Sequence, residues 1–121
     1  IDHFKQINDR YGHEGGDRLL TSVSHLLTAT CRTGDVLARW GGEEFVILLP
    51  ETDLEQARLF AERVRQIIDE TGHVSAQDTI RCTASIGVAV YCDDVSLDAL
   101  IARADAHLYE AKAGGRNQVC G

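Results

Sequence analysis

Residues 38–45 read Ala-Arg-Trp-Gly-Gly-Glu-Glu-Phe, and this stretch decides how the middle of the chain folds. Apolar and other residues alternate over 36–40, and an apolar run over 45–49 stops at Pro50. The two glycines supply the positive φ that a tight turn needs. The pattern therefore predicts two strands, 36–40 and 45–49, that form a hairpin with Gly-Gly-Glu-Glu at its tip.

The tip of this hairpin combines residue types that suit a phosphate and a metal ion. Glycine lets backbone N–H groups approach a phosphate or sugar closely. The side chains of Glu43 and Glu44 point to opposite sides of a strand, and Mg²⁺ is typically bound by one or two carboxylates together with substrate phosphates. Taken alone, however, the turn favours the simpler interpretation of an acidic, soluble hairpin tip.

The segment before the hairpin predicts a strand end, a loop and a helix. Residues 1–4 have the pattern of a strand tail, and residues 8–16 are polar and rich in glycine, which predicts a loop. Asp17 is placed to cap the helix that follows. The buried face of that helix repeats at helical spacing and consists of Leu19, Leu20, Val23, Leu26 and Leu27.

A second helix and a long strand follow the hairpin. Residues 52–55, Thr-Asp-Leu-Glu, have the form of a capping box, which opens a helix that ends at Gly72. Residues 79–91 alternate as a strand is expected to do. The inner face of the helix is Leu54, Ala57, Phe60, Ala61, Val64, Ile67 and Ile68, and one face of the strand is Ile80, Cys82, Ala84, Ile86, Val88 and Val90.

The last elements are a helix that Ser96 caps, which runs out at Gly114-Gly115, and a short strand over 118–120. The order is therefore strand, helix, hairpin, helix, strand, helix, strand. Helices that return between strands of a sheet containing a hairpin are typical of an α/β (α+β) fold. We expect a mixed, largely antiparallel central sheet flanked by helices.

The composition is that of one soluble globular domain. A chain of 121 residues, 44% of them hydrophobic, is long enough to bury a core and too short for two domains. The net charge of −7 argues against a general nucleic-acid binder. It still admits a nucleotide substrate, because a few basic residues and a divalent ion can reverse the sign of the potential within a pocket.

Cysteine usage and hydropathy indicate a cytoplasmic location. The four cysteines show no metal-ligand spacing, which is typical of free thiols in a reducing cytosol. No apolar run reaches the length of a membrane span, so we expect no direct membrane contact by this domain. The chain contains no Met and opens directly on Ile1, and we expect it to be part of a longer protein.

Four motifs, in order along the chain, resemble those of the GGDEF family of diguanylate cyclases. Residues 1–17 contain Ile-Asp-His-Phe-Lys-Gln-Ile-Asn-Asp, then Tyr-Gly-His and Gly-Asp, and residues 38–45 contain the family signature in its Gly-Gly-Glu-Glu-Phe variant. Residues 83–89, Thr-Ala-Ser-Ile-Gly-Val-Ala, resemble a later strand, and residues 104–117 resemble the closing helix and turn. The match runs nearly from end to end at family spacing, so chance does not account for it.

The resemblance implies a palm-like fold of the nucleotidyl-cyclase type. The implied enzyme condenses two GTP into cyclic di-GMP and releases pyrophosphate. Residues 1–121 would be a GGDEF domain that lacks its N-terminal helix and the start of its first strand, so this fragment is expected to be a poor catalyst. Such domains are usually the output part of a sensory, receiver or membrane protein.

The resemblance also implies a metal site for Mg²⁺ or Mn²⁺. Glu43 matches the hairpin carboxylate that binds the ion, and Ile1 matches the residue that contributes its backbone carbonyl. The second carboxylate of the family is an Asp directly before Ile1, a position outside this sequence. A site with one of two carboxylates is expected to hold the ion weakly.

Further positions match the family's substrate contacts. Asn8 and Asp17 correspond to the residues that recognise guanine, because an Asp carboxylate accepts from the ring N–H and amine while Asn both donates and accepts. Taken alone, the two would be a turn residue and a helix cap. His13 is expected on the ribose or base side, with a purely structural role as the alternative. Gly41 and Gly42 would contact the nucleotide through their backbone.

The remaining matches concern charge and catalysis. Lys5, Lys112 and Arg116 correspond to basic residues around the triphosphate, where converging cations favour phosphoryl transfer, and Lys5 would stabilise the transferring phosphate. The 3′-hydroxyl of one GTP would attack the α-phosphate of the other. Either Glu43 or Glu44 could accept the proton, and we favour Glu43.

A second site is implied upstream of the hairpin. Arg32 and Asp35 form an R-x-x-D pattern five residues before the signature, where the family binds cyclic di-GMP as an inhibitor. Arg63 matches an arginine that helps to hold the product in some members, although Arg58 and Arg65 compete for that role. As an isolated pattern, R-x-x-D would indicate only an ion pair at a helix end.

Two other classes of protein share parts of this pattern. A receptor that holds cyclic di-GMP or GTP without turnover is disfavoured by the intact Gly-Gly-Glu-Glu-Phe stretch. A fragment of a palm-type polymerase is disfavoured by the acidic net charge and by the lack of a basic track for nucleic acid. Because the sequence contains residues for only one GTP, the leading hypothesis implies catalysis by a homodimer.

Overall fold

A computed structural model describes residues 1–74, 79–93 and 96–121. In these ranges, three helices alternate with short strands, and none of the helices is long and apolar enough to cross a membrane. The elements are α1 (Phe4–Thr30), β1 (Val36–Gly41), β2 (Glu44–Leu48), α2 (Leu54–Glu70), β3 (His73–Val74), β4 (Thr79–Ile80), β5 (Ile86–Gly87), α3 (Leu97–Ala113) and β6 (Val119–Cys120).

The predicted hairpin is confirmed. Strands β1 and β2 pair antiparallel, with Arg39 opposite Phe45 and Gly41 opposite Glu44, and the register shifts between Arg39 and Gly41. Gly42 has φ +47°, a value that favours glycine because it has no Cβ. The register shift and the left-handed glycine make the turn tight. Glu43 completes the turn and Glu44 opens β2.

The prediction for the first seventeen residues is wrong in its secondary structure. Residues 1–4 are not a strand tail and 8–16 are not a loop, because α1 runs from Phe4 to Thr30 with a break at Gly12 (φ 77°, ψ 170°). Asp17 consequently lies inside the helix and does not cap it. Gly15 and Gly16 are buried and serve close packing: a Cβ on Gly16 would lie 1.8 Å from Asn8 Oδ1.

The N-terminal caps of the other two helices agree with the prediction, except that the cap of α2 lies one residue later. Asp53, and not the predicted Thr52, caps α2, because its side chain accepts a 2.8 Å hydrogen bond from the Gln56 backbone N–H. The helix ends at Glu70, before the predicted Gly72. Ser96 caps α3 as predicted and accepts from the Ala99 backbone N–H at 3.1 Å.

The long strand predicted over 79–91 is regular only at β4 and β5. Its alternation is nevertheless confirmed by burial, since Ile80, Cys82, Ala84 and Val88 are buried. Between the two short strands, the Thr83 carbonyl accepts from the Asp2 N–H, so part of this backbone bonds to the segment before α1 instead of to a neighbouring strand.

The pairing of the strands is mixed, as predicted. In the described ranges, β1–β2 and β3–β4 are antiparallel and β5–β6 is parallel, and each pair forms a separate two-stranded ladder. The ladders therefore replace the single continuous central sheet that the element order suggested.

One apolar core joins α1, α2 and the alternating segment that follows β4. Its buried members are Ile7, Leu19, Val23, Leu27, Phe60, Val64, Ile68, Ile80, Cys82 and Ala84. Helix α3 packs closely on β5, where a Cβ on Gly87 would lie 2.0 Å from the Ala104 carbonyl oxygen. All four cysteines are free, as predicted, and burial raises the pKa of the Cys82 thiol to about 11.

A buried histidine connects α1 to β3. His73 is 2% exposed, and its Nδ1 lies 2.6 Å from the Ser22 hydroxyl. Within the described part of the chain, its Nε2 has no hydrogen-bond partner. Burial lowers the pKa of the His73 imidazole, because a charged ring in this position would lose its hydration.

The His73 imidazole makes stability depend on pH. The folded state binds a proton at this ring less readily than the unfolded chain does, where the histidine pKa is about 6.5. Above the unfolded-state pKa, the neutral His73 ring costs the folded state nothing. As the pH falls from that pKa toward the lowered folded-state pKa, the free energy of unfolding decreases. Urea unfolding between pH 5 and 8 measures this slope. His73→Gln is expected to flatten it and His25→Gln, an exposed control, to preserve it; the reverse result contradicts the assignment.

Candidate functional site

The segment before α1 meets the tip of the hairpin. The Ile1 backbone nitrogen lies 3.2 Å from the Glu43 carbonyl oxygen, although the two residues are 42 positions apart. Both Glu43 and Glu44 are half-buried. The first motif and the signature motif, which are separate in sequence, therefore border one site.

This site opens into a groove of about 1030 Å³. Ile1, Glu43, Glu44 and Lys112 line it, together with apolar residues of β2, α2 and the segment around β5. Two carboxylates from the hairpin tip and one amine from the end of α3 thus face a common space. Such a set of groups can bind a cation and a phosphate side by side.

The oxygen ligands available at this site are of the type that Mg²⁺ or Mn²⁺ binds. Glu43 offers carboxylate oxygens beside the Ile1 backbone, and oxygen donors are the ligands that these ions prefer. Within the described ranges, no group of three His, Cys, Asp or Glu side chains gathers closely enough to hold an ion alone. The protein's donors therefore need oxygens from elsewhere, which substrate phosphates can supply.

The residues expected to read guanine lie along α1 on both sides of its break. Asn8 is half-buried and its Oδ1 has no partner in the described part of the chain. It packs against Gly16, the residue directly before Asp17. His13 and Asp17 are exposed and four residues apart beyond the break, a spacing that places two side chains on one helix face. All three groups therefore belong to one helix, with Asn8 before its break and His13 and Asp17 after it.

The basic residues lie at two helix ends. Lys5 is exposed in the first turn of α1. Lys112 is half-buried in the last turn of α3 and lines the groove, and Arg116 follows in an exposed turn, with φ +63°. The Arg116 N–H donates to the Ala111 carbonyl at 3.0 Å, so the turn stays close to the helix end. Lys112 is thus placed beside Ile1 and Glu43, whereas Lys5 and Arg116 are not lining residues of the groove.

Sequence reasoning missed Asp2. Its side chain is buried (4% exposed) and its carboxylate accepts hydrogen bonds from Thr83, Ser85 and the Asn117 N–H. Burial raises the pKa of this carboxyl, but the hydrogen bonds outweigh that effect and the pKa lies below its usual value. The donors are more than 80 positions away along the chain, so no local signal could have identified them.

Arg32 and Asp35 form a bonded pair, as the R-x-x-D pattern suggested. The Arg32 backbone N–H donates to Asp35 Oδ2 at 2.7 Å, its Nε lies 3.6 Å from the same oxygen, and its Nη2 donates to the Thr52 hydroxyl at 2.9 Å. The Asp35 side chain is 2% exposed, whereas that of Arg32 is 63% exposed. The guanidinium is thus anchored on one side and open to a ligand on the other.

A second cavity, of about 740 Å³, is lined by Arg32, Asp35 and Arg39. Arg39, which sequence reasoning did not single out, also donates from Nε to the Gly42 carbonyl at 2.9 Å. Arg63 does not line this cavity and instead lies over the Phe60 ring, 5.7 Å from its centroid. Arg65 is bound to Glu62 at 2.6 Å, which removes it as a free competitor of Arg63.

Comparison with known proteins identifies the class. Residues 1–118 match the family model described as "Diguanylate cyclase, GGDEF domain". The chain belongs to the GGDEF domain family, and the predicted recognition and the palm-like fold are confirmed.

Relatives and solved structures give the same result. The diguanylate cyclase DgcM of Escherichia coli (strain K12) is 47% identical over 118 residues, which cover 98% of this chain and 28% of DgcM. The GGDEF domain of DgcB from Caulobacter crescentus, in complex with c-di-GMP, superimposes with a TM-score of 0.93 at 32% identity, covering 99% of this chain and 72% of that one. The active GGEEF domain of a diguanylate cyclase from Vibrio cholerae has a TM-score of 0.85 at 36% identity, covering 99% and 76%.

Proposed function

We propose that this domain condenses two GTP into cyclic di-GMP with release of pyrophosphate. The observation that carries the proposal is the meeting of Ile1 with Glu43 at the hairpin tip. The signature and the names of the relatives support it. Because the chain spans only 28% of the length of DgcM, the activity of the whole protein is part of the proposal.

The metal site comprises Glu43 and the Ile1 carbonyl, and Mg²⁺ or Mn²⁺ is the proposed ion. When bound, the ion supplies Lewis-acid polarisation of the phosphate and favours the alkoxide form of the attacking hydroxyl. Glu43 contributes negative charge from a half-buried position. The chain itself orients the triphosphate through Lys112 and Arg116, at and just after the end of α3, and through Lys5 at the start of α1.

The guanine is bound by Asn8 and Asp17, with His13 beside the ribose or base. An Asp carboxylate accepts both from the guanine ring N–H and from its exocyclic amine, and adenine offers no matching pair of donors. Gly41 and Gly42 present backbone N–H groups without side chains in the way. In this proposal the α-phosphate lies near the hairpin tip, and Lys5 stabilises the charge on the transferring group.

The reaction is two reciprocal substitutions at phosphorus. The 3′-hydroxyl oxygen of one GTP bonds to the α-phosphorus of the other, the bond to the bridging oxygen breaks, and pyrophosphate leaves with the electron pair. Glu43 accepts the hydroxyl proton, with Glu44 as the alternative acceptor. A second, identical step with the roles exchanged closes the ring.

A strand that precedes Ile1 is proposed to occupy the open groove. In the described ranges, β2 pairs only with β1 and β5 only with β6, and the groove between them is lined by Ile1 and by apolar side chains such as Phe45. A strand inserted there would pair on both sides and bury those side chains. The carboxylate that the resemblance places directly before Ile1 would then lie next to Glu43.

The second cavity is the proposed site of product inhibition. Arg32 can bind a phosphate or a guanine edge through its open side, and Asp35 can accept from guanine N–H groups. Arg63 is the proposed third contact. It is exposed on α2, so its side chain is free to leave the Phe60 ring when the product binds.

The alternative of a receptor without turnover is weaker. Glu43 and Glu44 are both retained, and the structurally similar Vibrio cholerae domain carries the same GGEEF variant and is described as active. We further propose that the domain is cytoplasmic and contacts neither nucleic acid nor membrane directly. The net charge of −7 supports the expectation of no nucleic-acid contact.

Glu43→Gln tests the catalytic assignment. The amide cannot replace the anionic ligand, and metal polarisation contributes several kcal/mol to the transition state, so turnover of GTP is expected to fall by at least about 100-fold. The measurement is cyclic di-GMP formation by the natural chain that contains this domain. Glu55→Gln, at an exposed position of α2, is the matched control. Near wild-type turnover by Glu43→Gln contradicts the assignment.

Residues 1–121 alone serve as a second comparison in that assay. They lack the strand proposed to precede Ile1, so they are expected to turn over GTP much more slowly than the longer chain. Equal, metal-dependent rates would show that the groove needs no upstream strand.

Arg32→Ala tests the product site. Loss of a charged hydrogen bond of this kind costs about 1.5–3 kcal/mol, which corresponds to roughly 10- to 150-fold weaker binding of cyclic di-GMP. Calorimetric titration measures the affinity, and Arg103→Ala, remote from the cavity lining, is the control. If Arg32→Ala binds as tightly as the parent protein, the product binds elsewhere.

The chemistry also predicts a half-site. One copy carries guanine and metal contacts for one GTP, so a two-fold dimer with facing Gly41-Gly42 tips completes the reaction. Because each copy is acidic, the isolated domain is expected to pair weakly. Specific activity should rise with protein concentration, and fusion to a constitutive dimeriser should flatten that rise. Activity independent of concentration in a protein that sediments as a monomer would contradict the half-site.

A further inference from the structure

Asp2 is the most completely bonded carboxylate at the site. Its Oδ2 accepts from the Thr83 hydroxyl at 2.6 Å and from the Asn117 backbone N–H at 3.1 Å, and its Oδ1 accepts from the Ser85 hydroxyl at 2.6 Å. Its own N–H donates to the Thr83 carbonyl at 2.9 Å. The side chain is 4% exposed. Both oxygens are therefore already engaged, which leaves Asp2 poorly placed to be a metal ligand.

Asn117 extends this arrangement to α2. Its Oδ1 accepts from Arg65 Nη1 at 2.8 Å, and its Nδ2 donates to Asp69 Oδ2 at 3.3 Å. Arg65 is held in turn by Glu62. Asn117 and the preceding Arg116 both have positive φ, +50° and +63°. This conformation is costly for residues with a Cβ and persists only where surrounding bonds fix it.

We propose that Asp2 is a positioning residue that holds the Ile1 carbonyl and the Arg116 turn in fixed relation to each other. It is covalently next to Ile1, and through its oxygen it holds the N–H of the residue that follows Arg116. The inference rests on the proposed function, in which Ile1 binds the metal and Arg116 the triphosphate. Asp2 would thus influence both contacts, although it binds neither the metal ion nor the triphosphate itself.

The chemistry of the pocket makes the carboxylate specific. Three donors point at Asp2, and a carboxylate can accept from all of them, whereas an amide has one oxygen and two N–H donors. In Asp2→Asn, the neutral amide would replace charge-assisted hydrogen bonds by weaker ones, and the Ser85 hydroxyl would have to turn round and accept from the amide N–H. The segment that carries Ile1 is then free to shift relative to Asn117.

Binding of Mn²⁺ tests the proposal without relying on turnover. The natural chain that contains the domain is mixed with Mn²⁺ and a GTP analogue that has a methylene bridge between the α- and β-phosphates. Free Mn²⁺ is measured by electron paramagnetic resonance. Groups that orient metal ligands typically change affinity by about 10- to 100-fold, and Asp2→Asn is expected to weaken Mn²⁺ binding within that range.

Milder variants keep the test valid if Asp2→Asn does not fold. Ser85→Ala and Thr83→Val each remove one donor and leave the carboxylate in place, so each is expected to weaken Mn²⁺ binding less than Asp2→Asn does. Thr30→Val is the matched control, because the Thr30 hydroxyl donates within its own helix, to the Leu26 carbonyl. Thermal unfolding of every variant separates a loss of fold from a loss of binding.

The outcomes are distinct. Weaker Mn²⁺ binding in the folded Asp2, Ser85 or Thr83 variants, with Thr30→Val unchanged, supports the positioning role. Lower melting temperatures with Mn²⁺ affinity equal to that of the parent chain overturn it and leave Asp2 a purely structural residue, while the proposed function stands. A parent chain that does not bind Mn²⁺ with the analogue overturns the proposed function and, with it, this inference.

Discussion

Burial of one face of α1 and one face of α2 against the alternating segment after β4 is the constraint on which the other features depend. Leu19 and Val23 of α1 and Phe60 and Val64 of α2 share one core with Ile80. Large apolar residues of this kind supply most of the free energy that opposes chain entropy. Once they are packed, the polar ends of the same elements have little freedom, and Ile1 is held beside Glu43.

Local signals predicted the parts of the fold that depend on neighbours in sequence. The hairpin followed from two glycines between apolar runs, and the α3 cap followed from Ser96. The α1 prediction failed because Gly15 and Gly16 resemble loop residues, whereas their lack of a Cβ allows Asn8 and Tyr11 to pack against the helix. A glycine selected for close approach and a glycine selected for a turn look alike in a sequence.

In the candidate site, too, some features could be predicted from the sequence and others could not. The positions of Glu43, Lys112 and Arg32 within the family motifs suggested a cation, a phosphate and a product contact, which the residue types alone did not. What sequence could not provide was pairing over long separations: the Arg32 bond to Thr52 and the Asp2 bonds to residues after β4. These bonds depend on where the packed core places each segment.

The close approach of α3 to β5 fixes a point in the molecule. At Gly87, backbone atoms of α3 fill the space that any side chain would need, so the helix and the strand are in direct backbone contact there. Gly34 is the opposite case, since a Cβ at that position would meet nothing within 4 Å. At position 87, packing therefore excludes any side chain, whereas at position 34 the space is open and the left-handed backbone (φ +97°) is what favours glycine.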